Sequence, residues 1–106
     1  MIEPWDESQW GSLSEENMRR KLTSEGYSVA RYVYPRGTVF SDHTHSVDKK
    51  DVVLEGEFLI TLEGEEFVLR AGDSIEVPRN AAHSAQVVGE VSVVSLDAVK
   101  EVPAPE

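Results

Sequence analysis

The sequence predicts an all-β sandwich or barrel, formed by a single domain and preceded by one short helix. Three observations carry this. From Tyr27 onward, turn signals recur, at intervals of seven to ten residues from Gly56 on: Pro35-Arg36-Gly37, Glu55-Gly56-Glu57, Glu63-Gly64-Glu65, Ala71-Gly72-Asp73, Pro78-Arg79-Asn80 and Val88-Gly89-Glu90. Between them lie short runs rich in Val and aromatic residues, the spacing of sandwiches and barrels rather than of alternating strands and helices. The chain has 106 residues, far below the ~250 at which chains usually divide into domains.

In chain order, residues 1–26 stand apart as an N-terminal segment. Ser12-Leu13-Ser14-Glu15 has the Ser-x-x-Glu form of a capping box, in which two side chains satisfy the free amides of a helix start. A helix is predicted over Glu15 to Ser24, with Leu13, Met18 and Leu22 near helical spacing and Gly26 just past its end. Acidic residues open it and Arg19-Arg20-Lys21 stand toward its close, which suits the helix dipole. So short a helix is unstable alone and is expected to pack on the β-structure. Trp5 and Trp10 are candidates for core packing, for covering the open end of the β-structure or for a subunit interface.

The strands are expected at 27–34, 38–45, 50–55, 57–63, 66–70, 74–77, 83–88 and 91–97. Alternation is cleanest where Phe58, Ile60 and Leu62 share one face and Leu59, Thr61 and Glu63 the other. Phe40, Phe58 and Phe67 are assigned to the core; Tyr32 and Tyr34 share a face, as do Arg31 and Val33, and either pair is a candidate to line the pocket, with packing the favoured use. Glu55, Glu57, Glu63, Glu65 and Glu66 read as solvated hairpin ends that guard the sheet edges. The β-domain is drawn at 27–99, and 100–106 is read as a loose tail because Val102-Pro103-Ala104-Pro105-Glu106 favours extended chain.

Composition excludes several functions. Ten Lys plus Arg against 20 Asp plus Glu give a net charge of −10, which argues against partners held by phosphate, nucleic acid or an anionic membrane face. The absence of cysteine excludes disulfides, thiolate metal sites and cysteine nucleophiles. Apolar runs reach only three residues, far short of the ~20 that span a bilayer. The start, Met1-Ile2-Glu3-Pro4-Trp5-Asp6, has neither the basic nor the apolar region of a signal peptide, so a cytoplasmic location is expected.

The chemistry lies in the histidines. There are three, His43, His45 and His83. One residue separates the first two within a strand-like run, so a period of two puts both imidazoles on one face, where they can share an ion. Gly37 precedes His43 by five intervening residues, and Gly56 follows His45 by 11 positions. Downstream, Gly72 is followed by five residues, Pro78, one residue, Asn80, two residues and His83. This resembles the two motifs of the cupin superfamily, Gly-x5-His-x-His-x3-4-Glu-x6-Gly and Gly-x5-Pro-x-Gly-x2-His-x3-Asn, and the likeness covers roughly residues 27–97.

The resemblance implies a small antiparallel β-barrel of jelly-roll type. It also implies one divalent transition metal (Fe, Mn, Ni or Zn) held by His43, His45 and His83. The family's glutamate ligand would fall at position 49, which is Lys49, and an ammonium repels a cation. Asn80 replaces the motif's second Gly, a milder change because Asn tolerates left-handed turns, and the final Asn is absent. Three arrangements stay open. Three imidazoles hold the metal while water or substrate fills the other positions; Asp51, on the same strand face as Lys49, replaces the missing carboxylate; or no metal is held, and Lys49 and the histidines bind an anionic or sugar-like ligand.

Two functions are implied by the resemblance. One is a metal-dependent oxygenase or related enzyme acting on a small acidic molecule, with Lys49 orienting a carboxylate. The other is a non-catalytic module that binds or senses a small ligand. A homodimer joined through an edge strand is also implied.

Overall fold

A computed structural model of the protein describes residues 1–100. Its elements are β1 (Ile2–Glu3), α1 (Glu7–Trp10), α2 (Glu15–Ser24), β2 (Ser28–Tyr34), β3 (Val39–His43), β4 (Asp48–Glu55), β5 (Glu57–Leu62), β6 (Glu65–Leu69), β7 (Ser74–Val77), β8 (His83–Val88) and β9 (Val93–Lys100). The strands form two antiparallel sheets, of order β1-β7-β4-β9-β2 and β3-β8-β5-β6. They face each other as a jelly roll whose two sheets are not closed into one. No described helix is long and apolar enough to cross a membrane. The tail expectation falls outside the described residues from 101 onward, and Lys100 itself ends β9.

Strand alternation decides which side chains meet. On β4, Val53 points between the sheets and packs with Phe58, Ile60, Leu69, Ile75 and Val87, while Val52 points the other way. That outer face is covered by α2, where Met18 and Leu22 pack with Val52, Leu96 and Ala98. The five-stranded sheet is thus apolar on both faces, and the helix has the tertiary partner its length requires.

The cap of α2 differs from the predicted box. Ser14 is the N-cap, accepting from the Asn17 amide, and Ser12 instead offers its backbone oxygen to the Asn17 side chain. Two elements were not visible in the sequence. The strand β1 pairs Ile2 and Glu3 with Ile75 and Ser74, and α1 is a single turn capped by Asp6. Trp5 packs beside Leu13 against the helix-side cluster, and Arg20 lies over the Trp10 ring at 5.4 Å.

The motif glycines have steric reasons. Gly56 has φ 86°, and a Cβ there would stand 2.6 Å from the Ser92 carbonyl oxygen. Gly72 has φ 91°, and a Cβ there would stand 2.9 Å from the Cβ of Trp5.

Candidate metal centre

The three histidines converge at one end of the space between the sheets. His43 ends β3 and His83 begins β8, and the two are cross-strand partners. The expectation that both motif histidines lie within one strand run is corrected. β3 ends at His43, with a register shift after Phe40, and His45 stands two residues beyond it. Its carbonyl accepts from the Asn80 amide at 2.7 Å, so the second motif holds the first in place. Asn80 does so at φ 63°, the left-handed conformation its place in the motif calls for.

The rings are close, with centroids 4.2 Å apart for His43 and His83, 4.7 Å for His43 and His45, and 5.0 Å for His45 and His83. One ligand atom from each of the three lies within 4.8 Å of the others, and among the described residues no carboxylate joins the group. Nδ1 of His43 is 2.6 Å from the Ser41 carbonyl oxygen, and Nδ1 of His83 is 2.9 Å from that of Ala81. A carbonyl only accepts, so each Nδ1 carries the proton and each Nε2 keeps a free lone pair. Such second contacts orient imidazoles for metal binding. Burial, then the nearby Lys49 ammonium, hold the His45 pKa below its usual 6.5, which favours the neutral form a metal requires. The donor set fits a divalent transition ion.

Around the histidines is a cavity of about 180 Å³, below the ~300–1,000 Å³ that usually houses drug-sized ligands. One wall is aromatic. Tyr34, Phe40 and Phe58 pack ring to ring at 5.0 to 6.3 Å, and Tyr32 stacks on Tyr34 toward the solvent. The other wall is charged, made by Lys49, Asp51 and Asp97 from neighbouring strands. Asp51 and Asp97 are direct cross-strand partners, and Lys49 reaches Asp97 diagonally with Nζ 2.8 Å from Oδ1. Lys49 therefore faces inward, and Asp97 draws its ammonium. Burial, then the Asp97 charge, push the Asp51 carboxyl up to about 6 against the opposing pull of Lys49.

Every residue singled out in the sequence for this site lines the one cavity: His43, His45, His83, Lys49 and Asp51. Sequence reasoning missed Asp97, and it named Tyr34 as a candidate for the pocket lining while favouring packing; Tyr34 lines the cavity. Asp97 did carry a signal, as the one charged side chain within the mostly apolar run Val93-Val94-Ser95-Leu96-Asp97-Ala98-Val99.

The family model of the cupin domain (Cupin_2) matches residues 30–99, well over half of the chain. The chain is a cupin. This cupin is 28% identical over 91 residues to the pectin degradation protein KdgF of Dickeya dadantii, covering 84% of this chain and 83% of that one. Among solved structures it is similar to KdgF from Halomonas sp., with a TM-score of 0.63 and 27% identity over 73% of this chain and 71% of that chain. An RmlC-like cupin from Shewanella frigidimarina aligns with a TM-score of 0.64 and 25% identity, covering 74% of this chain and 69% of that one.

Proposed function

We propose that this cupin binds one divalent transition metal (Fe, Mn, Ni or Zn) through His43, His45 and His83, and acts as an enzyme on a small acidic molecule. The observation that carries the reading is the set of three converging imidazoles, two with Nδ1 tied to backbone carbonyls. Such a metal supplies Lewis acidity, polarising an oxygen of a bound ligand. The protein's own groups supply the rest. Lys49 provides positive charge for a carboxylate, Tyr34 and Phe40 offer flat apolar surface, and the cavity size limits the ligand to a small molecule. Two KdgF proteins among the relatives favour an acidic, sugar-derived ligand. The facing carboxyls of Asp51 and Asp97 favour an enzyme over a passive binding module, because a group able to hold or release a proton serves chemistry and is costly in a mere container.

Elemental analysis of protein purified without chelator tests the metal. Near-stoichiometric metal is expected, with loss of uptake in His83→Ala at unchanged secondary structure. A metal-free protein that takes up none on reconstitution would overturn the reading, and global unfolding of His83→Ala would make that histidine a structural residue.

We also propose a homodimer formed through β2. It is an edge strand of seven residues with Tyr32 and Val33 about half exposed, and residues 26–41 hold no acidic side chain in an otherwise acidic chain.

A further inference from the structure

The three inward- or core-directed lysines of this cupin are not equally satisfied. Lys21 and Lys50 each bridge two carboxylates, those of Glu3 and Glu25. Lys49 is mostly buried too, with 15% of its side chain exposed, yet among the described residues it meets a single carboxylate, Asp97. An ammonium has three N–H donors, so Lys49 has capacity left over, and it lies on the wall of the histidine cavity. Asp97 in turn has a second partner. Its direct cross-strand partner Asp51 already lies within hydrogen-bond reach of its carboxyl, and its partner on the other side is Ala30 of β2.

We propose that Lys49 is the anion subsite of the cavity and that Asp97 is its built-in competitor, occupying in the free protein the place that a ligand carboxylate takes. An incoming carboxylate displaces Asp97 from Lys49, and Asp97 keeps the Asp51 carboxyl as its remaining partner. Asp51 suits this second role because two facing carboxylates without the ammonium between them take up one proton from solvent and share it, one donating to the other, whereas two ionised ones repel. Asp97 is thus a specificity-determining residue. It excludes ligands too weakly anionic to replace it, and it keeps the ammonium from standing uncompensated beside three metal-binding imidazoles.

The inference rests on the proposed function, since it assumes that the cavity takes a small carboxylate. Its test is a calorimetric titration of the Zn-loaded protein with acetate and with oxalate at fixed ionic strength, with metal content measured for every variant. Asp97→Asn removes the competitor and is expected to bind both carboxylates about tenfold more tightly, whereas Lys49→Met is expected to bind them at least about tenfold more weakly. The opposite signs are the signature. A structural or positioning role for Asp97 would make Asp97→Asn bind more weakly or no differently, and either result overturns the competitor. Unchanged binding by Lys49→Met overturns the anion subsite. If the wild-type protein and both variants hold Zn and bind neither carboxylate, the small-acid reading beneath also fails, with its metal site intact. Asp97→Ser supplies the same comparison if the asparagine variant does not fold.

Discussion

At the scale of single residues, the site contrasts groups kept neutral with groups kept charged. His45 is held neutral by burial and by Lys49, and Asp51 is held toward neutrality by burial and Asp97. The Asp51 shift has a consequence for stability. Its carboxyl titrates at about 6 in the folded chain against an ordinary 3.8, so between those values the folded state holds more protons than the unfolded one. Stability therefore falls as pH rises through that window, and the loss is complete above about 6. Asp51→Asn removes it. The variant is expected to be more stable than wild type by about 1–3 kcal/mol at pH 7, with the difference vanishing near pH 4, as measured by urea unfolding of the metal-free proteins. A variant no more stable at pH 7 would show that Asp51 is ionised without penalty. The histidines were legible because three imidazoles at motif spacing form a pattern along the chain. Asp97 was not, since its meaning comes from its neighbours on the adjoining strand, and strand order is not written in local sequence.

At the scale of elements, the N-terminal segment is fastened to the sheet by a ring of four charges. Lys21 of α2 and Lys50 of β4 alternate with Glu3 of β1 and Glu25 after α2, and each lysine contacts both glutamates. The Lys50 side chain is only 3% exposed, so loss of a partner leaves a buried charge uncompensated. Burial alone would raise the Glu3 pKa, but hydrogen bonds from Lys21 and Lys50 outweigh it and hold the carboxyl below its usual 4.5. Its contribution is present above that value and is lost as pH falls through the lower folded one. Glu3→Gln is expected to cost about 1 kcal/mol at pH 7 and nothing in strong acid, read as loss of amide protection in α2 by hydrogen exchange. Equal protection at pH 7 would remove the ring from the fastening.

The predicted helix agrees with the observed one at both ends, and the predicted strands agree with the observed ones to within a few residues. Glycines that need positive φ and regular Val runs both act locally. The strand β1 escaped notice because two residues contain no periodicity, and its pairing with β7 joins positions some 70 apart. Neither Lys49 nor Lys50 is solvated, contrary to the usual behaviour of adjacent lysines near a strand end. Alternation sends one to each face of a sheet covered on both sides.

At the scale of the molecule, the excess of acid is spread over the surface, while the edge strand β2 is free of it. Two copies meeting along β2, as proposed, would avoid the repulsion that a net charge of −10 would impose on other faces. Light scattering coupled to gel filtration is expected to give about twice the chain mass of 11.8 kDa, and Val33→Lys to give the single mass. A wild-type monomer at all concentrations tested would overturn the dimer.

The hydrogen bond from the Asn80 amide to the His45 carbonyl oxygen has a kinetic meaning. It joins two motifs 35 positions apart, and His43 and His83, 40 apart, meet only when β3 pairs with β8. The three imidazoles are therefore complete only after non-local closure, a late and entropically costly event. A metal bound by all three would be an interaction of the native state that an early transition state lacks. It would act on the exit from the folded state rather than on the way in, making a loaded protein slower to come apart without making it quicker to form.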